Sequence, residues 1–249
     1  MLKEKNVLIT GASGGIGEAI SIKLAKEGYN IIIHYNQNEE NAKKVEETCK
    51  SYGVKTLLVQ ANLEYEEDIK NMVDKIINSF GKIDILINNA ALEINSNFKD
   101  KTKEDFKKVI DVNLIGTFLV TKYVSKYMLE NKYGKIINIT SNNAINKYDP
   151  NTLEYDASKA GIISLTHNLA LEFAPFINVN AVAPGWVLTE KVKKLNESLD
   201  GMLVNDESKK ILINRFVLPN EVASLVSFLV SDEASAINNQ VIVIDGGTY

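Results

Sequence analysis

The stretch NVLITGASGGIG, residues 6–17, decides the fold. It opens with a short apolar run of the kind that makes a buried strand, and its glycines at 11, 15 and 17 fall where such a strand passes into a helix. A loop of this kind brings bare backbone N–H groups against a pyrophosphate at the helix N-terminus. Three glycines alone suit an ordinary tight turn equally well, so the weight lies in what surrounds them. A helical pattern from Gly15 to Glu27 follows, then the apolar run NIIIHY at 30–35, completing a βαβ unit.

The same alternation continues outward to both ends of the chain. Helical patterns near 39–51, 66–79, 103–130 and 155–173, and others between 190 and 231, separate the runs KTLLVQA, KIDILINNA, GKIINIT, INVNAVA and QVIVID. Most of these runs are apolar on consecutive residues, which calls for a parallel sheet buried on both faces by helices. The expectation is an α/β fold, a single-domain, Rossmann-like, doubly wound parallel sheet of seven strands flanked by helices. No linker or composition break divides the 249 residues, so one domain is expected over 1–249.

An apolar fraction of 45% and a charged fraction of 24% are those of a globular chain with a sizeable core. A net charge of -4 leaves no electrostatic footprint for nucleic acid as a general partner. The N-terminal MLKEKNVLIT is too short and polar for a signal peptide, and no stretch approaches the roughly eighteen apolar residues of a membrane span. These features predict a soluble, cytoplasmic protein without a membrane partner. The lone Cys49 excludes an internal disulfide, and with His34 and His167 the only histidines no metal site is expected. The two histidines read as an end-of-strand residue and a helix residue.

The run YDASK, 155–159, places a phenol and an ammonium four residues apart, one above the other on a helix. An ammonium within a few ångströms draws a phenol from its usual pKa of about 10 toward neutrality and makes it a usable acid or base. Any solvated helix can carry that pair by chance. Its company distinguishes it.

TGASGGIG (10–17), NNAA (88–91), Asn113 in DVNLIGTF, Ser141 in INITS, YDASK, PGWVLT (184–189) and IDGG (244–247) stand in one order along the whole chain. That set resembles the classical short-chain dehydrogenase/reductase family, whose members move hydride between a nicotinamide cofactor and a carbonyl or secondary alcohol. The resemblance implies that Ser141 polarises the carbonyl oxygen and Tyr155 delivers the proton. Lys159 would lower the Tyr155 pKa and bind the nicotinamide ribose, and the Asn113 backbone carbonyl would hold a water linking Lys159 to solvent. The cofactor would lie on Gly11, Ser13, Gly14, Gly15, Ile16 and Gly17, and on Asn89 to Ala91, where Ala91 replaces the family's usual glycine and would be strained at a positive φ. Asn62 takes the place of the aspartate that holds the adenine amino group, with Leu63 beside it. Pro184, Gly185, Val187 and Thr189 would meet the nicotinamide carboxamide.

An acid at the end of the second strand would bind a ribose 2′-hydroxyl and repel a 2′-phosphate, but this chain has Tyr35 there. That absence favours NADP(H) over NAD(H), with Ser13, Tyr35, Asn36 and Gln37 as neutral donors, although no basic residue stands at Gly14 or Asn36; NAD(H) remains open. Within the family, NNA, DVNLIGTF, ASKAG and NAVAPGW are similar to the 3-oxoacyl-acyl-carrier-protein reductases, implying an acyl thioester substrate and an acidic carrier protein as partner. Lys132 and Lys135 are candidates for the docking patch, whereas Phe176 stands where those reductases tend to have arginine. The framework also resembles glucose, polyol and hydroxysteroid dehydrogenases, whose specificity resides in the segment matching 190–215, expected here as a substrate lid. Trp186 is expected either to bound the substrate pocket or to serve in packing, and Tyr148, with no lysine four residues on, as a loop or substrate-facing aromatic. Enoyl reductases of the family space tyrosine and lysine more widely than YDASK. A cofactor-binding sensor without turnover is the reading from another class. The resemblance further implies a homodimer or homotetramer built on the helices at 103–130 and 155–173 and on the C-terminal strand.

Overall fold

The computed structural model describes residues 4–249; the first three residues of the polar N-terminal stretch lie outside the described residues. Strands β1 (Asn6–Ile9), β2 (Asn30–Tyr35), β3 (Thr56–Gln60), β4 (Ile85–Asn88), β5 (Gly134–Ile139), β6 (Ile177–Pro184) and β7 (Val241–Ile244) form one sheet. Their order is β3-β2-β1-β4-β5-β6-β7, and every neighbouring pair is parallel. Central β1 explains the unbroken apolar runs. Val7 and Ile9 enter one buried cluster with Leu24, Val45 and Val226, while Leu8 enters another with Ile32, Met72 and Val120 on the opposite face. With both faces covered, consecutive residues must all be apolar.

Helices α1 (Gly15–Lys26), α2 (Glu39–Lys50) and α3 (Glu66–Phe80) connect the first four strands. The chain runs outward to β3 and then returns to place β4 against β1, so the crevice for a ligand opens at the C-terminal ends of β1 and β4. The expected continuous helix at 103–130 is three pieces: α4 (Lys103–Ile110), a π-turn (Asp111–Ile115) and α5 (Gly116–Glu130). Close packing accompanies the break, because a Cβ on Gly116 would stand 2.8 Å from the Leu63 carbonyl oxygen. The next helix, α6, runs Leu153–Glu172.

The 190–215 segment holds α7 (Glu190–Ser198) and α8 (Met202–Ser208), separated at Gly201 with φ +82, and neither helix has a buried residue. By contrast α9 (Pro219–Val230) returns Val222, Val226 and Val230 to the core. No helix among the described residues is long and apolar enough to cross a membrane.

Candidate active site

The glycine loop between β1 and α1 is held from two sides. Gly11 has φ +62, and a Cβ there would lie 2.8 Å from the Ala90 Cα; on Gly17 it would lie 2.5 Å from the Asn89 Nδ2. Only glycine fits either approach. Asn89 Nδ2 donates to the carbonyls of Thr10 (2.9 Å) and Gly11 (3.0 Å), and the Thr10 hydroxyl accepts the N–H of Asn89 (2.9 Å) and of Ala90 (3.0 Å). Asn89 therefore clips the loop to β4. Thr10, not singled out from the sequence, is the other half of that clip. Asn41 Nδ2 bonds the Ser13 carbonyl, and Thr189 lies against Gly15. Ile16 is partly buried against the core. Ala91 is not among the residues with positive φ, so the strain expected of an alanine there does not arise.

Helix α1 is preceded by Gly14, which offers no side-chain cap and leaves the first N–H groups of the helix facing an incoming ligand. Beyond the loop a polar cavity of about 310 Å³ is lined by Asn36, Gln60, Asn62, Asp68 and Asn71. Here Asn62 Oδ1 accepts the Glu64 N–H (3.1 Å) and Asp68 Oδ2 accepts the Asn62 N–H (3.1 Å), so the turn is fixed before anything binds. The Leu63 side chain is buried in the core, leaving only its backbone for a ligand. Tyr35 also packs into the core; burial raises its pKa, with Glu39 adding to the effect and Lys43 opposing it. Asn36 and Gln37 are exposed. An uncapped helix end, a backbone cradle that a Cβ would fill and an amide-lined cavity together fit a dinucleotide.

At the other end of the crevice stand Ser141, just beyond β5, and Tyr155 and Lys159 on α6. Ser141 is 9% exposed, and its hydroxyl accepts the Asn143 N–H at 3.2 Å. Lys159, 2% exposed, donates to the Ile139 carbonyl at 2.8 Å, and its Nζ sits 5.4 Å from the centre of the Tyr155 ring. Burial lowers the ammonium to about 8. The expected lowering of Tyr155 is not found: burial pushes the phenol above its ordinary value, Glu93 and Asp156 push it further, and only a hydrogen bond with Ser141 opposes them. The reason is geometric, since Lys159 engages a β5 carbonyl and faces the ring. Tyr155 thus holds its proton at neutral pH.

Asn113 is fully buried in the π-turn, where its Oδ1 accepts the Leu92 N–H (2.7 Å) and its Nδ2 donates to the Leu92 carbonyl (2.9 Å) and the Ser158 hydroxyl (3.0 Å). Its side chain therefore ties the loop after β4 to the helix carrying Tyr155. The π-turn interrupts the regular α-helical ladder around the Asn113 backbone. Lys101 makes a second tie, an ion pair with Glu154 at 2.7 Å with both side chains nearly buried. Neither partner stood out in the sequence, because nothing there reveals that positions 53 apart meet.

Pro184 ends β6, Gly185 donates to the Ile244 carbonyl (3.1 Å), and Val187 is buried with a bridge to Val217. Trp186 stacks on Phe216, centroids 5.4 Å apart, and Lys147 lies 5.6 Å from the indole while pairing with Glu207 of α8 at 3.0 Å. Tyr148 is an exposed loop residue. His167 lies on α6 against Asn239. The suggested basic patch does not form in the chain: Lys135 is 3% exposed and donates to the Ser231 carbonyl, because a lysine in this central strand is covered on both faces. Lys132 stays exposed, 5.9 Å from the Phe176 ring, at the sheet end opposite Ser141.

A parallel sheet with a dinucleotide cradle at its switch point, and a serine, tyrosine and lysine at the neighbouring strand end, defines a nicotinamide-dependent oxidoreductase. The family described as enoyl-(acyl carrier protein) reductase matches residues 11–249. A 3-oxoacyl-[acyl-carrier-protein] reductase, FabG, of Staphylococcus epidermidis is 36% identical over 98% of this chain and 99% of its own. Among solved structures, an actinorhodin polyketide ketoreductase with NADPH superposes with a TM-score of 0.91 at 30% identity, covering 99% of this chain and 98% of its own. An NAD+-bound xylitol dehydrogenase gives 0.91 at 32% identity, covering 98% of each. The chain belongs to the short-chain dehydrogenase/reductase family and is an oxidoreductase acting on the CH–OH/C=O couple with NAD(P).

Proposed function

We propose that the protein reduces 3-oxoacyl thioesters to 3-hydroxyacyl thioesters with NADPH as the preferred donor, NADH being the lesser one. The observation that carries the reading is the meeting of Ser141, Tyr155 and Lys159 at one strand end beside the dinucleotide cradle, in a chain matched over its full length by 3-oxoacyl reductases. Ser141 donates to the carbonyl oxygen and Tyr155 transfers its proton as negative charge develops there. A bound nicotinamide supplies the hydride. Lys159 orients the ribose, and a water on the Asn113 backbone carbonyl links it to solvent, from which the proton lost by Tyr155 is restored. Gly11, Ser13, Gly14, Gly15, Ile16 and Gly17 cradle the phosphates, Asn62 and the Leu63 backbone take the adenine, and Ala90 and Ala91 border the ribose. Pro184, Gly185, Val187 and Thr189 receive the carboxamide, while Tyr35, Asn36, Gln37 and Ser13 surround the 2′-position.

The thioester assignment rests on the curated reductases matched over full length. With Lys135 buried and Lys132 at the sheet end opposite Ser141, carrier protein would have to reach this site through other surface cations. Glu93 favours a second reading, a polyol or sugar dehydrogenase: its exposed carboxylate, close enough to act on Tyr155, would suit a hydroxyl-rich substrate better than an acyl chain. A hydroxysteroid substrate remains the third of the group. The four-residue spacing of Tyr155 and Lys159 argues against enoyl reduction, and occupation of all catalytic positions argues against a sensor without turnover. We read the chain as a single cytoplasmic domain with 190–215 as its lid, assembling as a dimer or tetramer through α4, α5, α6 and β7.

The test is NADPH and NADH oxidation with acetoacetyl thioesters of coenzyme A and of acyl-carrier protein. NADPH-dependent turnover of the carrier-bound form supports the proposal. No thioester turnover, with NAD+ reduction by a polyol or sugar, moves the function to the second reading.

A further inference from the structure

His34 is the most enclosed polar ring near the cofactor crevice, 2% exposed at the end of β2. Its Nδ1 accepts the Gly11 N–H at 3.0 Å, and its Nε2 lies 3.1 Å from the Ala61 carbonyl. A carbonyl only accepts, so Nε2 carries the proton and Nδ1 the lone pair, which fixes one neutral tautomer. The backbone of the same residue accepts the Ala12 N–H at 2.9 Å. One residue thus holds two successive N–H groups of the glycine loop and, on its far side, the strand end that leads into Asn62. The two places it joins are the phosphate cradle and the amide-lined cavity. No other described side chain bonds both the glycine loop and the β3 end.

We propose that His34 is a positioning residue for dinucleotide binding, its neutral ring setting the spacing between the glycine loop and the Ala61–Asn62 turn. The inference rests on the dinucleotide reading of the crevice. Gly11 is also held on its other side, where its carbonyl accepts from Asn89 Nδ2 at 3.0 Å, so the His34 ring completes a two-sided clamp on it. Loss of the Nδ1 acceptor would strand a buried N–H, and the loop would turn toward another acceptor at the cost of its fit to the phosphates.

The two ring nitrogens can be tested separately. An asparagine oxygen superposes on Nδ1 and keeps the acceptor for Gly11, whereas glutamine reaches the Nε2 position and keeps only the bond to Ala61. Dissociation constants for NADPH and NADH, read from nucleotide fluorescence, are measured for wild type, His34→Asn, His34→Gln and His34→Phe, together with KM for dinucleotide, kcat and Tm. The expected result is His34→Asn within about threefold of wild type and His34→Gln and His34→Phe weakened about tenfold or more in Kd and KM, with kcat nearly unchanged. Should His34→Phe fail to fold, the Asn and Gln pair decides. Equal affinity of Asn and Gln variants, or losses that follow Tm or fall on kcat, would overturn the proposal. If wild type itself bound neither dinucleotide, the cofactor reading would fail instead.

Discussion

The two sides of the crevice are built differently. On the cofactor side the loops are cross-linked by buried groups: Asn89 and Thr10 clip the glycine loop, His34 spans two strand ends, and Asn113 ties the loop after β4 to α6. On the substrate side α7 and α8 bury no residue, their apolar Val192, Leu203 and Val204 are only half-buried, and the Lys147–Glu207 ion pair joins α8 to the loop after β5. The first side is preorganised, so binding there meets a fixed shape. The second adds little to the core, its ion pair is worth about 0–1 kcal/mol, and it can change shape or sequence without unfolding the sheet. A family can keep one side and vary the other.

Chemistry is the sharpest probe of that division, because it sits on the seam. Tyr155→Phe removes the proposed proton donor and nothing that holds the dinucleotide loop. Turnover should fall about 10²–10⁴-fold while the Kd for dinucleotide stays within about twofold. Retained turnover would show that another group delivers the proton. A parallel loss of cofactor affinity would show that the two sides are not separable.

The rigid side should also be the acid-sensitive one. Burial holds His34 at about 4, against an ordinary value of 6.5. The folded chain therefore binds fewer protons at this residue than the unfolded chain does between those values. The stability it contributes is whole above pH 6.5 and is lost as pH falls toward 4, about 2–3 kcal/mol by pH 4.5. Urea unfolding at pH 7 and 4.5 should show that difference between wild type and His34→Asn, which has no titrating ring. Identical pH slopes would mean that the ring is not held neutral in the folded chain.

Gly17→Ala tests the clip directly. The new Cβ would meet Asn89 Nδ2 at 2.5 Å, and Asn89 cannot retreat without releasing Thr10 and Gly11. Overpacking of this kind costs about 1–3 kcal/mol. The fall in Tm should come with weakened dinucleotide binding, whereas alanine at Gly53, where a Cβ meets nothing but φ is +79, should lower Tm and leave binding alone. Equal effects on binding would mean the loop has room.

What the sequence discloses follows the same line. The sheet was readable because Val7, Leu8 and Ile9 feed two cores at once, and such runs have few other uses. Ser141, Tyr155 and Lys159 were readable because their order and spacing are distinctive, and the structure brings them to one strand end. The π-turn was not, since 103–130 has an unbroken helical pattern and the break answers to Leu63 and Leu92, remote in sequence. Nor was the burial of Lys135, which a strand end ordinarily exposes. The pull of Lys159 on Tyr155 was inferred from spacing and resemblance, but it depends on where Nζ points. His34 looked like any end-of-strand residue because its meaning lies in partners 23 and 27 positions away.

The smallest effect belongs to the proposed lid and asks whether a weak contact can still govern substrate. Lys147 stands six residues after Ser141 and reaches both Glu207 of α8 and the face of Trp186, which stacks on buried Phe216. Both members of the ion pair are partly exposed, 27% and 20%, so solvent screens most of their attraction. Lys147→Ala and Glu207→Gln should each change Tm by less than the equivalent of about 1 kcal/mol, as thermal unfolding would show. Where α8 closes over substrate, loss of the latch should raise KM for the carbonyl compound a few-fold and leave the Kd for dinucleotide unmoved. The double variant should add little to either single one, because both remove the same contact. An unchanged KM would place α8 outside the binding event. A change in dinucleotide affinity would instead mean that the flexible side reaches into the rigid one, through Trp186 and the adjoining Val187 and Thr189.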